Sequence, residues 1–170
     1  MTDQRRVDRV LEPDFLDNLP ARAEDELRSM RKDCQEVETE YSYLRRLAQA
    51  RIAILEAERA RRERGAPLSE LIDELPKILA DGEPPRPGQA DVRIPALLAP
   101  KKLSGYHRGL ERLVEDDTLA NLPNLSDGEV AESIEQLHAL EREVSEIRKS
   151  LHDVIDTLAE QLAARSTASA

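Results

Sequence analysis

Residues 37–49 read VETEYSYLRRLAQ, and residues 140–152 read LEREVSEIRKSLH. Laid on each other at a shift of 103 residues, their apolar positions coincide: Val37 on Leu140, Tyr41 on Val144, Leu44 on Ile147 and Ala48 on Leu151. The same shift superposes Leu16-Asp17-Asn18-Leu19-Pro20 on Leu119-Ala120-Asn121-Leu122-Pro123 without a gap. One helix, with the turn that precedes it, reads as duplicated within the chain.

Outward from the first copy, residues 21–64 contain neither Gly nor Pro, and apolar residues recur at Leu27, Met30, Cys34, Val37, Tyr41, Leu44, Ala48 and Leu55. Spacing that alternates three and four is the seam of a coiled coil. Arg51 interrupts the series, with a stem able to lie along the seam and a charge at its edge. Arg59, Arg61, Arg62 and Arg64 suit the negative pole of a helix end, and Gly65 with Pro67 is a stop signal. A first helix over 21–64 would be roughly 66 Å long. The second opens at Ser126, where Glu129 completes a capping box, and runs to Arg165. Its seam reads Val130, Ser133, Leu137, Leu140, Val144, Ile147, Leu151, Val154 and Leu158. Residues 1–20 form an N-terminal segment, and 166–170 a tail expected to be disordered.

Residues 65–125 hold eight of the ten prolines. The apolar set Leu68, Leu71, Ile72, Leu75, Ile78 and Leu79 predicts a short amphipathic helix interrupted at Pro76. Gly82 to Gly88 reads as an extended linker, and a further short helix is expected near Gly109 to Glu115. Two long helices of similar length, far apart in sequence, pack most economically as an antiparallel pair. The fold class is therefore all-α: a long antiparallel two-helix coiled coil, with short helices and a Pro-rich segment between its helices.

Composition agrees with an extended helical body, since 35% of residues are charged and 2% aromatic. A formal charge of -10 opposes phosphate backbones and anionic membranes, so neither direct DNA contact nor membrane association is expected. An acidic body suits a basic protein partner. No stretch approaches the roughly 20 apolar residues of a membrane span, and Met1 is not followed by an apolar signal segment, so a cytoplasmic location is expected. Cys34, the only cysteine, excludes an internal disulfide and falls on the seam, which predicts a buried thiol.

Off the seam, Glu38, Ser42, Arg45, Gln49 and Ala53 fall on Glu141, Ser145, Arg148, His152 and Asp156. At about 100° per residue these offsets stay within a sector of roughly 80°, so each set forms one stripe on one helix face. In an antiparallel pair both stripes can border one groove, which would make a composite site of approximate twofold symmetry. Arg45 and Arg148 offer planar donor forks for phosphate or for the O6 and N7 edge of guanine. Glu38, Glu141 or Asp156 can accept guanine imino and amino protons, and the serines can bind phosphate oxygens. A symmetric guanine dinucleotide matches this set. The bland alternative is the solvated flank of a coiled coil carrying helix-surface ion pairs.

These residues resemble the RsiG family of actinobacterial anti-sigma factors, whose signature is E-x3-S-x2-R-x3-Q-x3-D on each helix of an antiparallel coiled coil. The first copy here is Glu38, Ser42, Arg45, Gln49 and Ala53, with Ala in place of Asp. The second is Glu141, Ser145, Arg148, His152 and Asp156, with His in place of Gln. The resemblance implies binding of cyclic-di-GMP on these motifs and, with it, sequestration of WhiG, a sigma factor of the flagellar and sporulation type. Two stacked ligand molecules would fill the groove beside the seam. A homodimer pairing the better motifs of two chains is an open alternative.

Rival readings differ in class. A structural coiled-coil adaptor would bind a protein constitutively and no nucleotide. An RNA-touching helical arm is opposed by the net charge and the absence of an aromatic cluster. Catalysis is not expected: His107, His138 and His152 share no metal-ligand spacing. Gly105 and Gly109 follow no strand, and the carboxylates Asp116 and Asp117 have no apolar pocket to raise a pKa. No metal is expected.

Overall fold

The computed structural model describes residues 6–80 and 117–168. In chain order these form helix α1 (Arg6–Val10), a 3-10 turn (Leu19–Ala21), α2 (Glu24–Glu63), α3 (Leu68–Ala80), a second 3-10 turn (Leu122–Asn124) and α4 (Asp127–Ala168), with no strand among the described residues. The expected linker over 82–88, the short helix near Gly109 to Glu115, and Gly105, His107, Gly109 and Asp116 lie outside the described residues. The chain divides into two compact units. Of the described residues, the first holds 6–42 and 144–168, the second 43–80 and 117–143. Each takes part of α2 and part of α4, and within each the two segments lie antiparallel as a coiled coil.

In the first unit the core is Leu27, Met30, Cys34, Val37 and Tyr41 of α2 with Val144, Leu151 and Leu158 of α4. Val7 and Val10 of α1 and Leu19 of the 3-10 turn are buried with them. Ile147 and Val154 are half-buried beside the seam. Cys34 is fully buried, and burial, with Asp33 adding to it, pushes its thiol up to about 11. The thiol therefore stays protonated and unreactive. Arg6 holds α1 through Glu36 (2.8 Å) and Asp33 (3.6 Å), contacts that add little to the apolar attachment. Arg165, near the end of α4, donates to the carbonyls of Leu19 (2.8 Å) and Pro20 (3.0 Å), which lie just before α2 begins.

In the second unit Leu44, Ala48, Ile52 and Leu55 of α2 are buried with Val130, Ile134 and Leu137 of α4, Leu122 and Leu71. Two seam assignments change here. Ile52 takes the place left by Arg51, which stays half-buried, and Ile134 replaces Ser133. The physical reason is that an adjacent isoleucine buries more apolar area, while the Ser133 hydroxyl is satisfied by the Glu129 carbonyl of its own helix at 2.8 Å.

The last seam position of α2 is Glu58, with no exposed surface. Its carboxylate accepts from Arg61 Nε (2.6 Å), from Arg61 Nη2 (2.8 Å) and from Arg62 Nε (2.5 Å). These contacts, those of Arg61 foremost, hold it below the usual carboxylate range. Arg62 then reaches the carbonyls of Leu125 (2.7 Å) and Leu122 (2.9 Å) and the Asp127 carboxylate (2.9 Å). It thus fastens the end of α2 to the turn that opens α4. Gly65, at φ 65, ends α2 in a Schellman arrangement: its amide bonds the Arg62 carbonyl (2.9 Å), and that of Ala66 bonds the Arg61 carbonyl (3.1 Å). The shift that relates the two helices carries Arg62 onto Arg165 and Leu19 onto Leu122. Each turn is therefore clamped by the terminal arginine of the other copy.

At the start of α4, Glu129 accepts from the Ser126 amide (2.7 Å) and the Glu129 amide donates to Ser126 Oγ (3.3 Å), the expected capping box. At its end the helix continues to Ala168 rather than stopping at Arg165, with Ser166 and Thr167 hydroxyls bonded to carbonyls of Leu162 and Ala164. The α3 helix runs through Pro76 without interruption. A proline inside a helix removes one bond to the preceding turn, here the carbonyl of Ile72, whose residue is exposed and therefore open to water. Among the described residues no helix is long and apolar enough to cross a membrane.

Arg62→Ala would remove one of the donors to the buried Glu58, which keeps Arg61, and would leave the Leu122 and Leu125 carbonyls without theirs. In urea titration it is expected to lower the stability of the chain by on the order of 2 kcal/mol, the desolvation cost of unpaired groups. Arg165→Ala, which serves two carbonyls and no buried carboxylate, is expected to cost less.

Candidate functional site

The two polar stripes do not remain separate sites, one to each helix. Antiparallel packing sets the glutamate end of one stripe against the arginine end of the other, so each unit holds a cluster made from both copies. In the first unit, Glu38 Oε1 accepts from Ser42 Oγ (2.6 Å) on its own helix and from Arg148 Nε (3.2 Å) and Nη2 (3.0 Å) on α4. His152 Nε2 lies 3.1 Å from the same oxygen. In the second unit, Glu141 Oε1 accepts from Arg45 Nε (2.9 Å) and Gln49 Nε2 (3.2 Å). The clusters are the same motif with its helices exchanged: glutamate from α2 and arginine from α4 in one, the reverse in the other.

Burial of these groups is partial and nearly matched. The side chains of Glu38 and Glu141 are each 19% exposed, Arg148 is 22% and Arg45 29%. A half-buried carboxylate meets two opposing influences. For Glu38, burial is the largest single one and favours the neutral form, yet the donors Ser42, His152 and Arg148 together outweigh it and hold the carboxyl below its usual range. Both arginines are thereby drawn to a carboxylate on the other helix.

The remaining site residues separate. Ser145 belongs to the first unit, is half-buried and is engaged in an interaction of its own. Asp156 lies one turn beyond His152, exposed, and makes no ion pair with Arg148. Ala53 is half-buried on α2 in the second unit. The two departures from the signature thus fall one in each cluster. The first unit keeps the carboxylate Asp156 and has His for Gln, while the second keeps Gln49 and lacks the carboxylate.

Glu58 carries no signal of its own in the sequence, and periodicity places Arg62 and Arg165 only at helix ends; the 103-residue shift that carries Arg62 onto Arg165 is the signal that points to their shared role as clamps. His138 lies 3.6 Å from Glu56 in the second unit. Among the described residues no group of His, Cys, Asp and Glu is arranged to hold a metal ion.

Glu38 and Glu58 have lowered carboxyl pKa values in the folded chain. Their contribution to stability is present above the ordinary value of 4.5 and is lost as pH falls through the lowered one. Glu40, raised by burial, acts in the opposite sense. Thermal unfolding followed by circular dichroism is expected to show a midpoint that falls below about pH 4.5, and Glu38→Gln is expected to flatten that fall.

No curated protein matches the chain. A family model described as RsiG-like matches residues 13–79 and 116–170, a span that includes α2, nearly all of α3, α4 and every residue of both clusters. With most of its length matched, the chain belongs to the RsiG-like family, a family of anti-sigma factors.

Proposed function

We propose that this anti-sigma factor is licensed by cyclic-di-GMP, and that with the nucleotide bound it sequesters a sigma factor of the flagellar and sporulation type. One nucleotide would be taken at each cluster, giving two per chain. Arg45 and Arg148 would turn from glutamate to the O6 and N7 edge of a guanine or to a phosphate, a bidentate exchange suited to a planar fork. Glu38 and Glu141, released from those arginines, would accept guanine imino and amino protons. Asp156 would fix a guanine edge in the first unit, and the serines would hold phosphate oxygens. A sigma factor touching both protein and nucleotide would bind tightly only when the messenger is abundant, which is reciprocal coupling between two ligands. The chain acts by occupancy, without catalysis, in the cytoplasm where its partner works.

The observation that carries this reading is the exchanged arginine–glutamate pair, Arg148 on Glu38 at 3.0 Å and Arg45 on Glu141 at 2.9 Å. Surface coiled coils use such charges, but reciprocal, half-buried pairs backed by Ser42, His152 and Gln49 form prepared donor and acceptor sets. A second reading has its own support: the same pairs satisfy the arginines without any ligand, as in a nucleotide-independent coiled-coil adaptor.

Titration calorimetry decides between them. Cyclic-di-GMP is expected to bind at micromolar or tighter affinity, cyclic-di-AMP weakly, and addition of the sigma factor is expected to tighten the first. Arg45→Ala or Arg148→Ala is expected to weaken binding by about 1–3 kcal/mol, the worth of one bidentate base contact, with helicity retained. Asp156→Ala is expected to weaken it as well. Absence of heat with and without the sigma factor would leave the adaptor.

A further inference from the structure

The first copy of the polar motif has an echo two heptads earlier on α2. Glu24, Arg28, Arg31 and Gln35 follow one another at the offsets of Glu38, Ser42, Arg45 and Gln49, with Arg28 in the place of Ser42. Offsets of four, three and four keep them on one helix face. With Leu162 and Ser166 of α4 they line a cleft of about 430 Å³, all within the first unit. That is room for a tetrahedral oxyanion and several waters, each taking roughly 30 Å³.

Charges in this cleft do not cancel as they do in the two clusters. Glu24, the one carboxylate lining it among the described residues, is engaged by Arg28, which also meets Asp25 at 3.2 Å. Arg31 has no acceptor among the described residues, and its Nε is shut off from water as well. The register of the first unit gives the reason. Arg148 meets Glu38, so the α4 position opposite Arg31, seven residues before Glu38, is that of Ile155, seven after Arg148. Where each cluster sets a glutamate against an arginine, this level sets a half-buried isoleucine. An arginine kept for its stem alone turns its head to water. Here one donor of the head is enclosed and unmet, a cost that an acceptor arriving in the cleft relieves as the guanidinium turns to it. Gln35, exposed on the same face, has a side-chain amide with no bond among the described residues.

We propose that this cleft is a binding subsite for a phosphate oxyanion, held by the Arg31 guanidinium and the Gln35 amide, with Arg28 adding charge at the rim. Guanidinium and amide donors that converge from successive turns of one helix suit a tetrahedral group with oxygens in several directions. The phosphate is either free in solution or carried on an ester. None of these residues belongs to the two clusters, so the subsite stands whether or not the chain binds a cyclic dinucleotide.

The test titrates the full chain into inorganic phosphate at constant ionic strength and follows the width of the phosphorus resonance. Saturable broadening by the wild-type chain is expected. Arg31→Met is expected to weaken it about tenfold or more, the loss of one charge-assisted hydrogen bond, Arg31→Lys to keep part of it, and the exposed neighbour Lys32→Met to leave it unchanged. Leu162→Glu gives Arg31 a carboxylate inside the cleft and is expected to abolish the broadening with helicity retained. No saturable broadening by the wild-type chain overturns the proposal, and so does broadening that Arg31→Met and Leu162→Glu leave intact. Titration with cyclic-di-GMP identifies the source. Affinity unchanged in Arg31→Met assigns the subsite to free phosphate or to a separate ester; affinity lost there, with inorganic phosphate competing in the wild-type chain, assigns it to the nucleotide's own phosphate. Absence of cyclic-di-GMP binding by the wild-type chain strikes the nucleotide reading alone.

Discussion

A carboxylate held half out of water between two helices is stable only if donors reach it, and in this chain they come mainly from the opposite helix. Glu38 depends on Arg148, and Glu141 on Arg45. That dependence fixes helix direction as well as charge. A parallel pairing would set arginine beside arginine and glutamate beside glutamate, leaving charges half-buried and unmatched. The terminal arginines impose the same direction, since Arg62 and Arg165 each find their carbonyl acceptors only at the start of the other copy. Apolar seams attract in several registers, and these polar contacts select one.

Mutual satisfaction also gives the clusters a defined resting state. An arginine facing water would be mobile; one drawn to a glutamate 2.9 or 3.0 Å away is held in place and partly neutralised. Any anion or base edge entering such a cluster competes with a carboxylate already there. Affinity is then the difference between two sets of charge-assisted bonds, and small changes in the supporting residues tilt that difference. His152, with a ring that can carry a proton, and Gln49, which cannot, make the two clusters unequal in this respect.

Much of this was legible in the sequence because it rests on periodicity. The seam of α2 from Leu27 to Ala48 is buried as its spacing requires, the Ser126 and Glu129 box forms, and Gly65 ends α2. Errors arose where periodicity is locally ambiguous. Arg51 beside Ile52 and Ser133 beside Ile134 offer two frames one residue apart, and only packing chooses between them. Pro76 misled because propensity penalises it, although the one bond it removes is easily replaced by water on an exposed face. The clusters were harder still. Their residues were identifiable, but which arginine meets which glutamate depends on the stagger of the two helices, and no local pattern states that stagger. Glu58 was hidden for a related reason: a buried carboxylate is intelligible only once Arg61 and Arg62 are seen to enclose it.

The crossed clamps have a consequence for how such a chain can change. Two identical helices meeting from separate molecules would form a dimer that dissolves on dilution, and every substitution would appear twice. Joining the copies in one polypeptide makes their encounter intramolecular and independent of protein concentration. It also frees each position from its twin. Ala53 can differ from its counterpart Asp156, and Gln49 from His152, so two clusters built on one motif take separate chemistries. The reciprocal contacts set the limit of that freedom, because a copy whose terminal arginine is lost unfastens its neighbour's beginning and not its own.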